Sequence, residues 1–109
     1  MTDLLRRARD VKSIIANEAM PKGRRATQPL HALSGLQLTG LPPQLRATLE
    51  TNLVAVDRIL QTYQLETDED YEQVDDTDIR TILKILDGLA SRLVGQIDMT
   101  EKEARLRNL

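Results

Sequence analysis

Cysteine is missing from this chain, and so are phenylalanine and tryptophan. Without cysteine there are no disulfides, no thiolate metal ligands and no cysteine nucleophile, and the chain suits a reducing compartment. Without the larger rings, Tyr63 and Tyr71 are the only aromatic side chains. A core must then be built from Leu, Ile, Val and Ala, which suits helix-on-helix packing better than a sheet. His31 is the only histidine, and a zinc ion would find too few ligands beside it. No Ser/His/Asp arrangement, nucleotide-binding glycine loop or paired-carboxylate site stands out. The expectation is a protein that is not an enzyme and takes no cofactor.

Strong charge of one sign is missing as well. The formal net charge is −2, which gives no bulk attraction to nucleic acid or to a membrane surface. No apolar run approaches the length that spans a bilayer, and Met1–Arg7 lacks the apolar centre of a signal peptide. A cytoplasmic protein with no membrane partner is expected.

What is present fits one small domain: 109 residues, 40% apolar and 29% charged. A core of this size without large rings is thin, and oligomerisation is a common remedy.

Three segments carry helical periodicity. A first helix spans 1–20, with Thr2 as cap, Asp3 in the first turn and Pro21 as the stop. Its stripe is Leu4, Ala8, Val11, Ile15 and Ala19. A second helix spans 42–64, opening at Pro42-Pro43. Leu45, Leu49, Leu53, Val56, Ile59, Leu60 and Tyr63 share an arc of roughly 120° on it, with Asn52 inside the arc and Val54 on the back. A third helix spans 77–98, capped by Asp75 or Asp76. Its arc of about 140° holds Ile79, Ile82, Leu83, Leu86, Leu89, Ala90, Leu93, Val94 and Ile97, with Gly88, Ser91 and Gly95 on the opposite face. Residues 99–109 are either a short separate helix, capped at Thr100 with Glu103 three residues on, or a continuation of the third.

Between the first two helices, residues 21–41 carry Pro21, Gly23, Pro29, Gly35 and Gly40. This composition predicts an extended arm, basic in its first half and leucine-rich in its second. Leu30, Leu33, Leu36 and Leu38 would dock it on a surface of this chain or of a neighbour. The connection 65–76 is an acidic turn, with seven Asp or Glu among the eleven residues Glu66–Asp76. Read as a calcium loop from Asp68, it has Gln73 where glycine is needed and Ile79 where glutamate is needed, so a solvated capping turn is the better reading.

The fold expected is therefore all-α: a helix, a long apolar and basic arm, and an antiparallel helical hairpin that oligomerises into a bundle. Arcs this wide face several elements at once, and a second copy could supply them. The oligomer interface would be Leu49, Asn52, Leu53, Val56, Leu60, Leu86, Leu89, Leu93 and Ile97. Asn52 within it would fix register, as a lone buried amide does in coiled coils. The glycines of the 88–95 strip mark either a close approach to the backbone by a crossing helix or by the arm, or glycine tolerated on a surface.

The expected function is a non-catalytic, homo-oligomeric interaction or assembly protein whose expected partners are copies of itself and, second, another protein. The alternative is a small regulatory module binding a phosphate-bearing ligand, a nucleic acid or a nucleotide. Arg6, Lys22, Arg24 and Arg25 would hold the phosphate, with Gly23 as the hinge that lets them converge. A bland reading of the same cluster neutralises the end of the first helix or pairs with the acidic turn.

Overall fold

The computed structural model describes residues 2–34 and 42–107, and these form five helices and no strand. In chain order they are α1 (Thr2–Ala16), α2 (Lys22–Ser34), α3 (Pro43–Leu60), α4 (Asp68–Glu72) and α5 (Asp76–Arg107). None is long and apolar enough to cross a membrane among the described residues.

The spine is α5, whose 32 residues run along a molecule with extents of 53 × 26 × 19 Å. It continues through Thr100 without a break, so the tail extends the third helix rather than starting a new one. The Asp75 backbone carbonyl accepts the Ile79 N–H at 2.9 Å as the first bond of the helix, with Asp76 and Asp78 in its first turn. Around α5, α1, α2 and α3 form an arc: α5 approaches all three and α2 approaches both neighbours, but α1 and α3 do not meet. Lys12 reaches Ser91 and Asp87 across α1 and α5. Gln96 reaches Thr48 across α3 and α5 at 3.4 Å.

Two helices end before their expected limits. The first stops at Ala16 rather than near Met20 because the Asn17 side chain accepts the Ala19 N–H at 3.2 Å, replacing helix bonds with a turn. Helix α3 stops at Leu60, followed by a turn in which Tyr63 N–H donates to the Leu60 carbonyl.

The larger departure is α2. The extended arm expected over 21–41 is helical from Lys22 to Ser34, with Pro29 inside it. Proline in a helix interior removes a backbone bond and costs about 3 kcal/mol. Burial outweighs that cost, since Gly23, Ala26, Leu30 and Leu33 fall at helical spacing and are all buried. Pro21 is not the stop of α1, which has already ended at Ala16; its carbonyl accepts the Arg25 N–H at 3.0 Å as the first bond of α2. Leu30 and Leu33 thus pack as expected, but from a helix; Leu36 and Leu38 lie outside the described residues.

The core closes within one chain. Leu49, Val56, Leu86, Leu89, Leu93 and Ile97, expected at an interface between copies, are each at most 1% exposed here. Leu53 and Leu60 pack half-buried against the same cluster. Among the described residues, helices α1 and α2 lie against α5 and supply the cover from within the chain, while the short α4 packs on α2. In this fold these side chains are not available to a second copy.

Candidate interaction surface

Lys22 and Arg25 of the basic cluster bond within the fold, while Arg24 is exposed. Lys22 donates to the Val74 carbonyl at 3.1 Å and pairs with the Asp76 carboxylate. Arg25 donates to the Ile15 carbonyl in the last turn of α1, where a cation complements the helix dipole. The Arg24 backbone N–H donates to Glu72 Oε1 at 3.0 Å, so a carboxylate from α4 caps the N-terminus of α2. This cap matters because α2 has no acidic residue of its own in its first turn. The four expected phosphate contacts do not converge. Helices α1 and α2 run antiparallel, with Arg7 bonding the Ala32 carbonyl at one end and Arg25 bonding Ile15 at the other. Arg6 lies at the former end and the Lys22–Arg25 turn at the latter.

Gly23 is no hinge. A Cβ there would lie 2.7 Å from the backbone of Tyr71 and of Glu72, so α4 rests directly on the glycine. Thr27, one turn on, is buried and donates to the Gly23 carbonyl at 2.6 Å.

The acidic turn is ordered by its own carboxylates. Asp70 accepts the N–H groups of Glu66 (2.9 Å) and Thr67 (3.0 Å), and these bonds hold its carboxyl below the usual value of 3.8. Asp76 is held low as well, by its hydrogen bond from Lys22 and then by the charge of that ammonium. The Tyr63 hydroxyl donates to Asp78, and that bond pushes its pKa above 10.0. Among the described residues no three acidic or histidine side chains cluster as metal ligands. His31 sits exposed on α2.

The open side of the molecule is the flank of α5 that faces away from α2, between α1 and α3. Two rows of residues seven apart run along it: Thr81, Gly88, Gly95 and Lys102, and beside them Ile85, Arg92, Met99 and Leu106. Among the described residues no atom lies within 4 Å of a Cβ built on Gly88 or Gly95, beyond the helix's own nearby backbone. The close approach expected at these glycines is therefore not made by the described residues. Met99 is 63% and Leu106 69% exposed, and Ile85 is half-buried. A hollow of about 450 Å³ opens over Gly88, flanked by Lys84 and Arg92, with Asn52 of α3 on one lip and Asp87 on the other. Asp87 is already engaged by Lys12 of α1. Asn52 does not bridge helices: its amide donates to the Thr48 carbonyl of its own helix at 2.7 Å.

A second flank is bare. The back of α3 exposes Glu50, Thr51, Val54, Asp57 and Arg58, and Val54 is 48% exposed at its centre. The sequence had marked Val54 as pointing out of the back face, and it does.

No protein-family model, curated protein or solved structure matches this chain.

Proposed function

We propose that this chain is a non-catalytic helical interaction protein that assembles with copies of itself. The observation that carries this reading is the outer flank of α5. It joins exposed Met99 and Leu106 with half-buried Ile85 in one row, beside two glycines with open space above them. Glycine inside a helix costs about 1 kcal/mol relative to alanine, and a helix has little use for two of them on a face that stays in water. A close-packed neighbour gives them a use. Exposed apolar residues aligned along one helix face, rather than scattered, mark a surface that meets another protein.

The reading differs from the sequence expectation in where the contact lies. The inner arcs of α3 and α5 are consumed by the fold, so assembly falls to the outer faces. The phosphate-binding alternative loses its support, because Lys22 and Arg25 already have in-chain partners and Arg6 stands at the other end of α1.

Light scattering at two protein concentrations, in low and high salt, tests the proposal. Mass above that of one chain, rising with concentration and persisting in part at high salt, is the expected result. A single-chain mass at every concentration overturns it.

A further inference from the structure

Resting on that reading, we infer that the occupant of the α5 hollow is the back of α3 from a second copy, so that the chains join head to tail. The argument is complementarity between two bare surfaces of the same molecule. On α5, Lys84 and Arg92 stand one turn to either side of Gly88, which leaves an open space between two cations. On the back of α3, Glu50 and Asp57 stand about one turn to either side of Val54, with Arg58 exposed beside Asp57, so an exposed apolar side chain lies on a face with two acids and one cation. Placing Val54 over Gly88 brings an acid towards each cation whichever way the helices run, with Arg58 sharing the Asp57 end. The match in axial spacing follows from the helix repeat of 1.5 Å per residue.

The size of the central pair also fits. Gly88 lets a facing helix approach until a valine fills the space, and Ile85 beside it supplies an apolar wall. Neither Lys84 nor Arg92 has an ion-pair partner among the described residues, and neither do Glu50 and Asp57, so no in-chain bond must break. Symmetric pairing of two α5 flanks is the poorer solution. With Gly88 set opposite Gly95 of a second copy, both Arg92 side chains come together at the two-fold axis, and like charges in contact repel.

A head-to-tail contact uses two different surfaces, so each copy both offers one and receives one. It therefore permits a mixing test. In Val54→Lys the chain keeps its hollow but loses the side chain that enters one. In Gly88→Gln the hollow is filled while the back of α3 is intact. Both changes sit on exposed or open helical positions, and circular dichroism checks that each variant stays helical. Each variant alone should run as a single chain, with self-association weakened at least about tenfold. Mixed in equal amounts, they should form a two-chain complex and nothing larger. A second test exchanges the charges: Lys84→Glu with Arg92→Glu should abolish assembly, and adding Glu50→Lys with Asp57→Lys should restore it.

Wild-type chains that never associate would overturn both this inference and the functional reading it rests on. Wild-type chains that associate while both single variants do so equally well would overturn only the inference. Variants that dissociate but fail to recombine on mixing would also overturn it, because they point to one self-complementary face.

Discussion

Gly23 and the pair Gly88 and Gly95 are all helical glycines, yet the molecule uses them in opposite ways. Gly23 lies at the start of α2 with the backbone of α4 pressed onto it, so that an added Cβ would meet Tyr71 and Glu72 backbone atoms at 2.7 Å. Gly88 and Gly95 lie within α5 with nothing above them. The sequence suggests the reverse, a flexible hinge at Gly23 and a close approach at Gly88 and Gly95. A helical glycine always carries the same backbone cost, but only tertiary contact decides whether its missing side chain is occupied. At Gly23 the neighbour is inside the fold. At Gly88 and Gly95 no described residue supplies one.

The difference between inner and outer faces of α5 sets the scale for testing this. Leu93→Ala removes a side chain that is fully buried, and such truncations cost about 2–5 kcal/mol. Chemical denaturation should show that loss in a single-chain sample. A loss below about 1 kcal/mol would mean that the core does not close within one chain as described.

Next in size is Gly23→Ala. Replacing glycine by alanine in a helix ordinarily stabilises it, but here the new methyl meets backbone rather than a movable side chain. Overpacking of this kind costs about 1–3 kcal/mol, so the melting temperature should fall. The separation of α4 from α2 would also loosen the Glu72 cap on Arg24. A rise in melting temperature would show that α4 does not rest on Gly23.

Gly88→Ala and Gly95→Ala should do the opposite. Each adds a methyl to open space in a helix interior, and each should raise single-chain stability by up to about 1 kcal/mol. Measured at concentrations too low for assembly, a destabilisation by either change would reveal a close contact at that glycine that the described residues do not make.

How much of this was readable beforehand follows from which signals are periodic. The stripes of α1, α3 and α5 repeat at helical spacing and mark the core correctly: Leu4, Ala8, Val11, Leu45, Leu49, Val56, Ile79, Ile82 and Leu86 are all buried. Helix α2 was hidden because Pro21, Gly23 and Pro29 all signal a break, and local propensity carried more weight than a four-residue stripe. Yet Gly23, Ala26, Leu30 and Leu33 stand at helical spacing, and Leu30 and Leu33 do pack. The inward role of Lys22 and Arg25 was legible as one of two readings, since a cation after a helix end has an obvious carbonyl partner. The outer flank of α5 was half legible. The small residues at 88, 91 and 95 stood out, but Ile85, Arg92, Met99 and Leu106 form a row only once α5 continues past residue 98. That α1 and α3 leave this flank open depends on how three helices arrange around a fourth, and no local pattern carries that.

The smallest expected effect concerns acid, and it separates the packed seam from the open flank in another way. Asp70 and Asp76 both serve the α2–α4 side of the molecule, and both carboxyls are held below the usual 3.8. The backbone N–H groups of Glu66 and Thr67 do this for Asp70, and Lys22 does it for Asp76. A carboxyl with a lowered folded-state pKa binds its proton less readily when folded than when unfolded. Its contribution to stability is thus complete above the ordinary value and is lost as pH falls through the folded one. Asp76 is exposed and Asp70 half-exposed, so the loss is modest and the Lys22–Asp76 part is screened by salt. Melting temperature followed from pH 6 to pH 2 should decline for the wild type below the ordinary carboxylate range, and less steeply for Asp70→Asn with Asp76→Asn. An identical decline would place the acid sensitivity elsewhere. Both bonds lie on the packed seam, away from the open flank of α5.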